Sequence, residues 1–339
     1  MPDQRRGLVF GVGAYAMWGL FPLYWPLLEP AAATEILAHR VLWSLLLTGL
    51  MLLVTRRMAA VRHIWSNPRV RWIMIGAGFA IGCNWFTYIW GVNNGHVVEA
   101  SLGYYINPLV TVLMGVLILG ERLRRWQWVA LSLGAAAVVV LSLQLGRPPW
   151  ISLVLAASFG TYGLLKKKAA IRPMEGVAFE SMVLAPFAFG YLCWLSYAGQ
   201  ATAWSDGAGH ALLLTTTGIA TVVPLLCFAG AANRVPLSTV GLLQYITPTM
   251  QFFLGVFVFH ESMPATRWFG FAIIWLALVI LSTDSLVTVR RRAADRAHET
   301  LDGVEAVEAG SVLDSACTDA AYESPEVDLP PQSARTLHQ

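Results

Sequence analysis

The chain has 339 residues, 56% of them hydrophobic and only 13% charged, with a mean hydropathy of +0.58. Soluble domains carry about 25% charged residues, so this composition excludes an ordinary soluble globule and places most of the chain in lipid. The formal charge of +3 hides a split: beyond residue 294, ten acidic residues stand against Arg296 and Arg335 alone, leaving a basic body of 21 Lys and Arg against 10 Asp and Glu. In a lipid-embedded chain such loop charge reports orientation and does not argue for nucleic acid. Cys83, Cys193, Cys227 and Cys317 are scattered, without CxxC or a His at metal spacing, so no disulfide framework, metal site or cofactor is expected.

A hydrocarbon core of about 30 Å needs about 20 apolar residues in helix. On that scale the chain predicts spans near 7–28, 34–54, 71–92, 97–119, 127–145, 150–166, 174–197, 210–232, 238–259 and 266–286. The sixth is the weakest, short and holding Ser158, Gly160, Thr161 and Gly163. The first has a basic start (Arg5, Arg6), but its long aromatic apolar stretch and missing A-x-A-like site read as a span and not as a cleaved signal. Residues 293–339 are acidic and rich in Ala, Ser and Pro, with Tyr322 as the single aromatic. Such a segment buries too little apolar surface to offset ordering entropy, so a disordered cytoplasmic tail is expected.

Residues 101–142 and 241–282 are two copies of one pattern at an offset of 140 without a gap. Tyr105, Ile106, Pro108, Gly115, Val116, Glu121 and Trp128 match Tyr245, Ile246, Pro248, Gly255, Val256, Glu261 and Trp268. With the N-terminus inside, 19 basic residues fall on inner segments and only Arg147 and Arg267 on outer loops, so both termini are predicted cytoplasmic. Five spans per half is an odd number, so the second half enters from the opposite side. The expected fold is an all-α polytopic membrane protein: ten transmembrane helices as two inverted five-helix repeats, over 7–145 and 150–286, with a site near the bilayer midplane.

Pro108 and Pro248 lie near mid-span, where a proline frees the carbonyls of Tyr104 and Gln244. Two broken helices facing a cavity, with Tyr104, Tyr105, Asn107, Gln244 and Tyr245 beside them, form the expected substrate site. Asn84, Trp85 and Trp18 are further cavity candidates. Glu35 and His39 share a helix face and can form a hydrogen-bonded pair suited to proton coupling, or to anchoring near the interface. Arg40 points about 100° away, where it can snorkel to headgroups. Glu180 is a second intramembrane carboxylate, able to carry a proton, neutralise a cation, or pair with Lys166–Lys168 or Arg172. Glu121 and Glu261 read as gate or hairpin residues, and Glu99 as the acid that starts the fourth span. HExxH, G-x-S-x-G, Walker A and paired intramembrane aspartates are all missing, so no enzyme is suggested.

The stretches TEILAHRVLWS (34–44), CNWFTYIWGVNNGHVVEASLGYYINPLV (83–110), GERLRRWQW (120–128) and VPLLCFAGAANRVPLSTVGLLQYITPT (223–249) resemble the RarD group of the EamA family, in the drug/metabolite transporter superfamily. The resemblance covers about residues 7–286. It implies an inner-membrane transporter whose cavity is lined by the first four helices of each half, the fifth and tenth being peripheral. It leaves the cargo open and carries nothing over to the acidic tail. The expected function is secondary active export of a small metabolite or drug by alternating access, with or without proton coupling. The alternative is a non-transporting sensor or assembly scaffold on the same bundle. The expected partners are a small molecule and the lipid bilayer, and the oligomeric state is left open.

Overall fold

Among the described residues a succession of long helices follows the predicted apolar runs, several of them stopped by a glycine or started by a proline. The computed structural model describes residues 2–120 and 123–288. These are α1 (Pro2–Gly19), α2 (Ala33–Val54), α3 (Pro68–Asn93), α4 (Val97–Leu119), α5 (Arg125–Leu145), α6 (Trp150–Ala169), α7 (Pro173–Tyr197), α8 (Gly207–Ala232), α9 (Thr239–Val258) and α10 (Ala265–Thr288). Two short pieces, Phe21–Tyr24 and Trp25–Leu28, continue α1 after a 44° bend. Gly120 (φ 68°) and Gly146 (φ 65°) stop α4 and α5 in the left-handed region that a side chain would resist. Asn67 starts α3 by accepting the Val70 amide, with Pro68 in the first turn. The acidic segment 293–339 and Glu121 lie outside the described residues.

Among the described residues eight helices are long and apolar enough to cross a membrane, or nine when the bent α1 is counted as one span. The remaining helix, α6, is 20 residues long but ends in Lys166, Lys167 and Lys168. Large apolar side chains point outward from several helices, among them Leu46, Leu50, Leu143, Phe187 and Leu212. In water that surface would be an aggregation hazard, whereas in acyl chains it is solvated. The chain is an all-α polytopic membrane protein.

The packing order forms a closed ring: α1 lies against α8, then α2, α7, α3, α6, α4 and α9, which returns to α1. Exchanging each helix for the one five places along leaves this ring unchanged, as a two-fold relation between the halves requires. The sense of the exchange is visible at α4 and α9. Glu261, beyond the end of α9, accepts the amides of Val97 and Val98 at the start of α4, and further along Tyr105 Oη lies 2.8 Å from Thr249 Oγ1. The two equivalent helices therefore run antiparallel. Thr34 at the start of α2 meets Tyr191 near the end of α7 at 2.7 Å, which gives the same result for a second equivalent pair. The halves interleave helix by helix, so the residues through Ser285 make one contact unit.

Glycines set the closest approaches. A Cβ on Gly218 of α8 would sit 2.7 Å from the backbone of Trp43 in α2, and one on Gly78 of α3 would sit 3.5 Å from that of Glu180 in α7. Gly78 and Gly218 are 140 residues apart. Close backbone approach through small residues is how membrane helices gain packing without a hydrophobic drive.

The duplicated prolines have unequal effects. Pro108 sits inside an unbroken α4, whereas α9 is divided into Leu237–Leu243, Ile246–Phe253 and a π-helical turn Leu254–Val258. The interruption falls at Gln244 and Tyr245, where Pro248 has no N–H to return to the Gln244 carbonyl. Helix α4 absorbs the same missing bond without a break, so the expectation of two broken helices is corrected to one.

Candidate functional site

Side chains from five elements converge inside the ring on Arg40. This residue is two turns into α2 and only 4% exposed. Its guanidinium lies 4.1 Å from the ring of Trp85 (α3), 5.1 Å from Trp25 and 5.8 Å from Phe21. Its Nε donates to Thr221 Oγ1 of α8 at 2.9 Å. The phenols of Tyr104, Tyr24 and Tyr88 are within its electrostatic reach. Helices α3 and α4 are not the ring neighbours of α2 on either side, so these contacts place the side chain in the interior. The sequence expectation that Arg40 turns to headgroups is therefore corrected. The side chain is 4% exposed, unlike Leu46 and Leu50 on the outward face of the same helix.

Around this cation the aromatic wall is partly tied down. Tyr24 Oη lies 2.8 Å from Thr216 Oγ1, and Tyr104 donates to Asn84 Oδ1 at 3.3 Å. Asn84 donates in turn to the Leu155 carbonyl and to Ser158 Oγ, both at 3.1 Å. Asn84 thus ties α3, α4 and α6 together. Tyr88 packs edge-on against Tyr104 at 5.6 Å, and its buried hydroxyl has no partner among the described residues, nor does the indole N–H of Trp25.

Glu180 sits in the other half, on α7, which is the equivalent of α2, and 140 residues after Arg40. It is fully buried, 2.9 Å from Lys166 Nζ and accepting from Tyr162 at 3.3 Å. Of the alternatives left open for Glu180, the structure contains the ion pair with Lys166. Gly176 makes room for it, since a Cβ there would lie 1.8 Å from the amine.

The other sequence candidates divide between wall and frame. Trp18 packs on Tyr15 (5.5 Å) and Phe228 (6.0 Å), and its carbonyl accepts from Gln251. Tyr105 lies near Phe271 and Trp275 of α10, and Tyr245 reaches Ser282 of the same helix at 3.3 Å. Both tyrosines thus face away from Arg40. Asn107, Pro108 and Gln244 are half-buried and Pro248 is buried. Asn107 Oδ1 is buried without a partner among the described residues, while its carbonyl accepts from Thr111.

Glu35 and His39 do not form the expected pair. Glu35 instead accepts the amide of Thr202 at 2.9 Å, capping the short helix Thr202–Ser205 between α7 and α8. Its counterpart at the other face, Glu175, lies 3.8 Å from Arg57 in the connection between α2 and α3. His39 is half-buried and within electrostatic reach of His210, which bonds Thr202 Oγ1 at 2.9 Å.

Glu99 accepts the Ile151 amide at the start of α6 and pairs with Arg147 at 3.2 Å. Burial raises the Glu261 carboxyl above its ordinary value, against the opposing pull of the Val98 and Val97 amides. An apolar groove of about 400 Å³ between α2, α3 and α7 is lined by outward Phe79, Phe86 and Phe187. It is a crevice on the lipid-facing perimeter and not the site. Among the described residues there is no cluster of His, Cys, Asp and Glu able to hold a metal.

The profile of the EamA-like transporter family matches residues 5–143 and again residues 148–283. This chain belongs to the EamA-like transporter family. Protein RarD of Streptomyces exfoliatus is 58% identical over 292 residues, covering 86% of this chain and 93% of that protein. An uncharacterized transporter of Bacillus subtilis, YojE, is 41% identical over 300 residues, covering 87% and 99%. A crystal structure described only as that of a protein superposes with a TM-score of 0.53 at 20% identity, over 81% of this chain and 96% of the other. That last likeness concerns the fold alone. As an EamA protein of the RarD group, the chain is a multi-pass membrane transporter of the drug/metabolite type.

The sequence expectation passed over Tyr88, Trp25 and Thr221, turned Arg40 toward the headgroups, and gave Lys166 as one of several partners for Glu180. One signal was available: up to residue 294, Arg40 is the basic residue placed well inside a span, the others falling in loops or at span ends. The partners could not be found that way, because they come from elements up to 181 positions apart.

Proposed function

We propose that this protein is a secondary active transporter that exports a small metabolite or drug across the inner membrane by alternating access. Both termini would then be cytoplasmic, as the arginine count favours. One observation carries the reading: among the described residues, eight helices from two antiparallel-related halves form a ring whose interior holds polar groups with no partner there. Such a ring can open to either side when one half rocks against the other. The interrupted α9 supplies a place for the backbone to bend, and the α4–α9 crossing supplies the axis.

Glu180 is the favoured coupling group. Glu35 already holds the Thr202 amide, whereas protonation of Glu180 would release Lys166 and free the end of α6. The test is flux in proteoliposomes with and without an imposed pH gradient, using cargo drawn from a thermal-shift metabolite screen. Accumulation driven by the gradient supports the reading. Flux no greater than in protein-free vesicles, for every compound that binds, would favour a sensor or scaffold.

A further inference from the structure

We propose that Arg40 and the aromatic residues around it form the subsite that selects the substrate, and that the substrate is a small organic monoanion: a carboxylate carrying an apolar or aromatic body. The inference rests on the transporter reading for its physiological meaning, but the binding chemistry stands on the side chains themselves.

A charged group in a span costs about 3 kcal/mol or more unless it is compensated. Arg40 begins about 10 Å along α2 from its start. Its Nε is held by Thr221, and among the described residues no carboxylate lies within ion-pair distance. The terminal amino groups have no acceptor among the described residues, although the residue is 4% exposed. The equivalent position in the other half shows the contrast: Glu180 has its counter-charge in Lys166. A pair of equivalent helices therefore holds one compensated charge and one that awaits an anion.

The surrounding groups narrow the class. The guanidinium lies over the ring of Trp85 with its Nε held by Thr221, which leaves the two terminal amino groups as donors that suit a carboxylate. Two further buried donors near it, Tyr88 Oη and Trp25 Nε1, have no partner among the described residues. Donors in excess of acceptors favour a ligand rich in oxygen. One cation without a second beside it suits a single negative charge over a doubly charged phosphate. Among the described residues no carboxylate pairs with Arg40, which disfavours an amine or a zwitterion, whose ammonium would meet Arg40 without relief. The walls, formed by Phe21, Trp25, Trp85, Tyr88 and Tyr104, accept a flat apolar body.

The experiment uses the full chain in nanodiscs, with a panel of aliphatic and aromatic monocarboxylates from hexanoate to phenylacetate and indole-3-acetate. Each is paired with its neutral amide and its amine. The readouts are the ligand-induced rise in Tm and calorimetric affinity. At least one carboxylate should raise Tm where its amide and amine do not, and Arg40→Gln should abolish the rise. Arg40→Lys, which keeps the charge and loses the fork, should weaken affinity about tenfold or more.

Should Arg40→Gln fail to yield monodisperse protein, Thr221→Val serves instead. It removes the bond that orients the guanidinium and should weaken the same carboxylate but not alter amide binding. The proposal is overturned if no carboxylate in the panel binds, if amides bind as well as acids, or if both Arg40 and Thr221 variants bind with unchanged affinity. Carboxylate binding without any flux would overturn the transport reading and leave this one standing. Flux of a cargo indifferent to Arg40→Gln would do the reverse.

Discussion

At the scale of single residues, the charges at equivalent positions of α2 and α7, Arg40 and Glu180, differ in their circumstances, and the difference is measurable. Lys166 and Glu180 form a buried pair whose removal from water is offset only while both are present. Lys166→Met leaves Glu180 uncompensated and is expected to cost about 3–5 kcal/mol, read as a fall in Tm in detergent. The double variant Lys166→Met with Glu180→Gln should recover most of that loss, because neither charge then remains. If the double variant were as unstable as the single, the lysine would be acting through packing and not through charge. Arg40 belongs to the same scale. Its position within a span was legible, but the direction of its side chain was not, because helical spacing reports angle around one helix and not what stands opposite.

At the scale of elements, close packing and helix ends decide which changes are tolerated. Gly218→Ala would drive a Cβ to 2.7 Å from the Trp43 backbone, which cannot swing aside. A loss of about 1–3 kcal/mol is expected from thermal unfolding. Gly49→Ala in α2 meets nothing within 4 Å and should be neutral or stabilising by up to about 1 kcal/mol, since alanine favours helix over glycine.

Glu261 gives a pH-dependent case, because burial holds its carboxyl above the ordinary glutamate value of 4.5. The folded chain therefore binds that proton more tightly than the unfolded one. The stability contributed by the group is complete below the unfolded value and is lost as pH rises through the folded one. Glu261→Gln should flatten that part of the pH–stability profile while keeping an acceptor for the Val98 amide. A profile unchanged from the native chain would remove Glu261 as its source.

At the scale of the whole molecule, the antiparallel relation of equivalent helices makes a geometric prediction. A Cβ on Gly255 of α9 would approach the side chain and amide of Val98 in α4 at 2.7 and 3.1 Å. A Val98→Cys, Gly255→Cys chain lacking its native cysteines should form an internal disulfide under mild oxidation. The readout is a mobility shift that reduction reverses. Flux should stop while the bond is in place and return on reduction, since the tether joins the two elements that must move apart. Bond formation with undiminished flux would show that this end of the α4–α9 contact stays closed throughout the cycle.

Much of the architecture was legible along the chain because membrane helices answer to local rules. Apolar length identified eight of the spans, nine with the bent α1, and located the helix α6, which falls outside that count, and the repeat at offset 140 with an odd number of spans per half implied opposed directions. The family resemblance rested on contiguous stretches, which a single sequence displays in full. What only the tertiary structure decided was how the halves share one ring and which polar groups meet inside it. Sequence placed Glu35 beside His39, yet tertiary packing set Glu35 on the amide of Thr202. Two equal prolines left one helix whole and divided the other. Arg40 went to an aromatic chamber whose walls come from α3, α4, α8 and the segment after α1. The physical reason is common to all three. A span's existence depends on the free energy of transferring its own residues into lipid, whereas the environment of a polar side chain inside the bundle depends on atoms contributed by other spans.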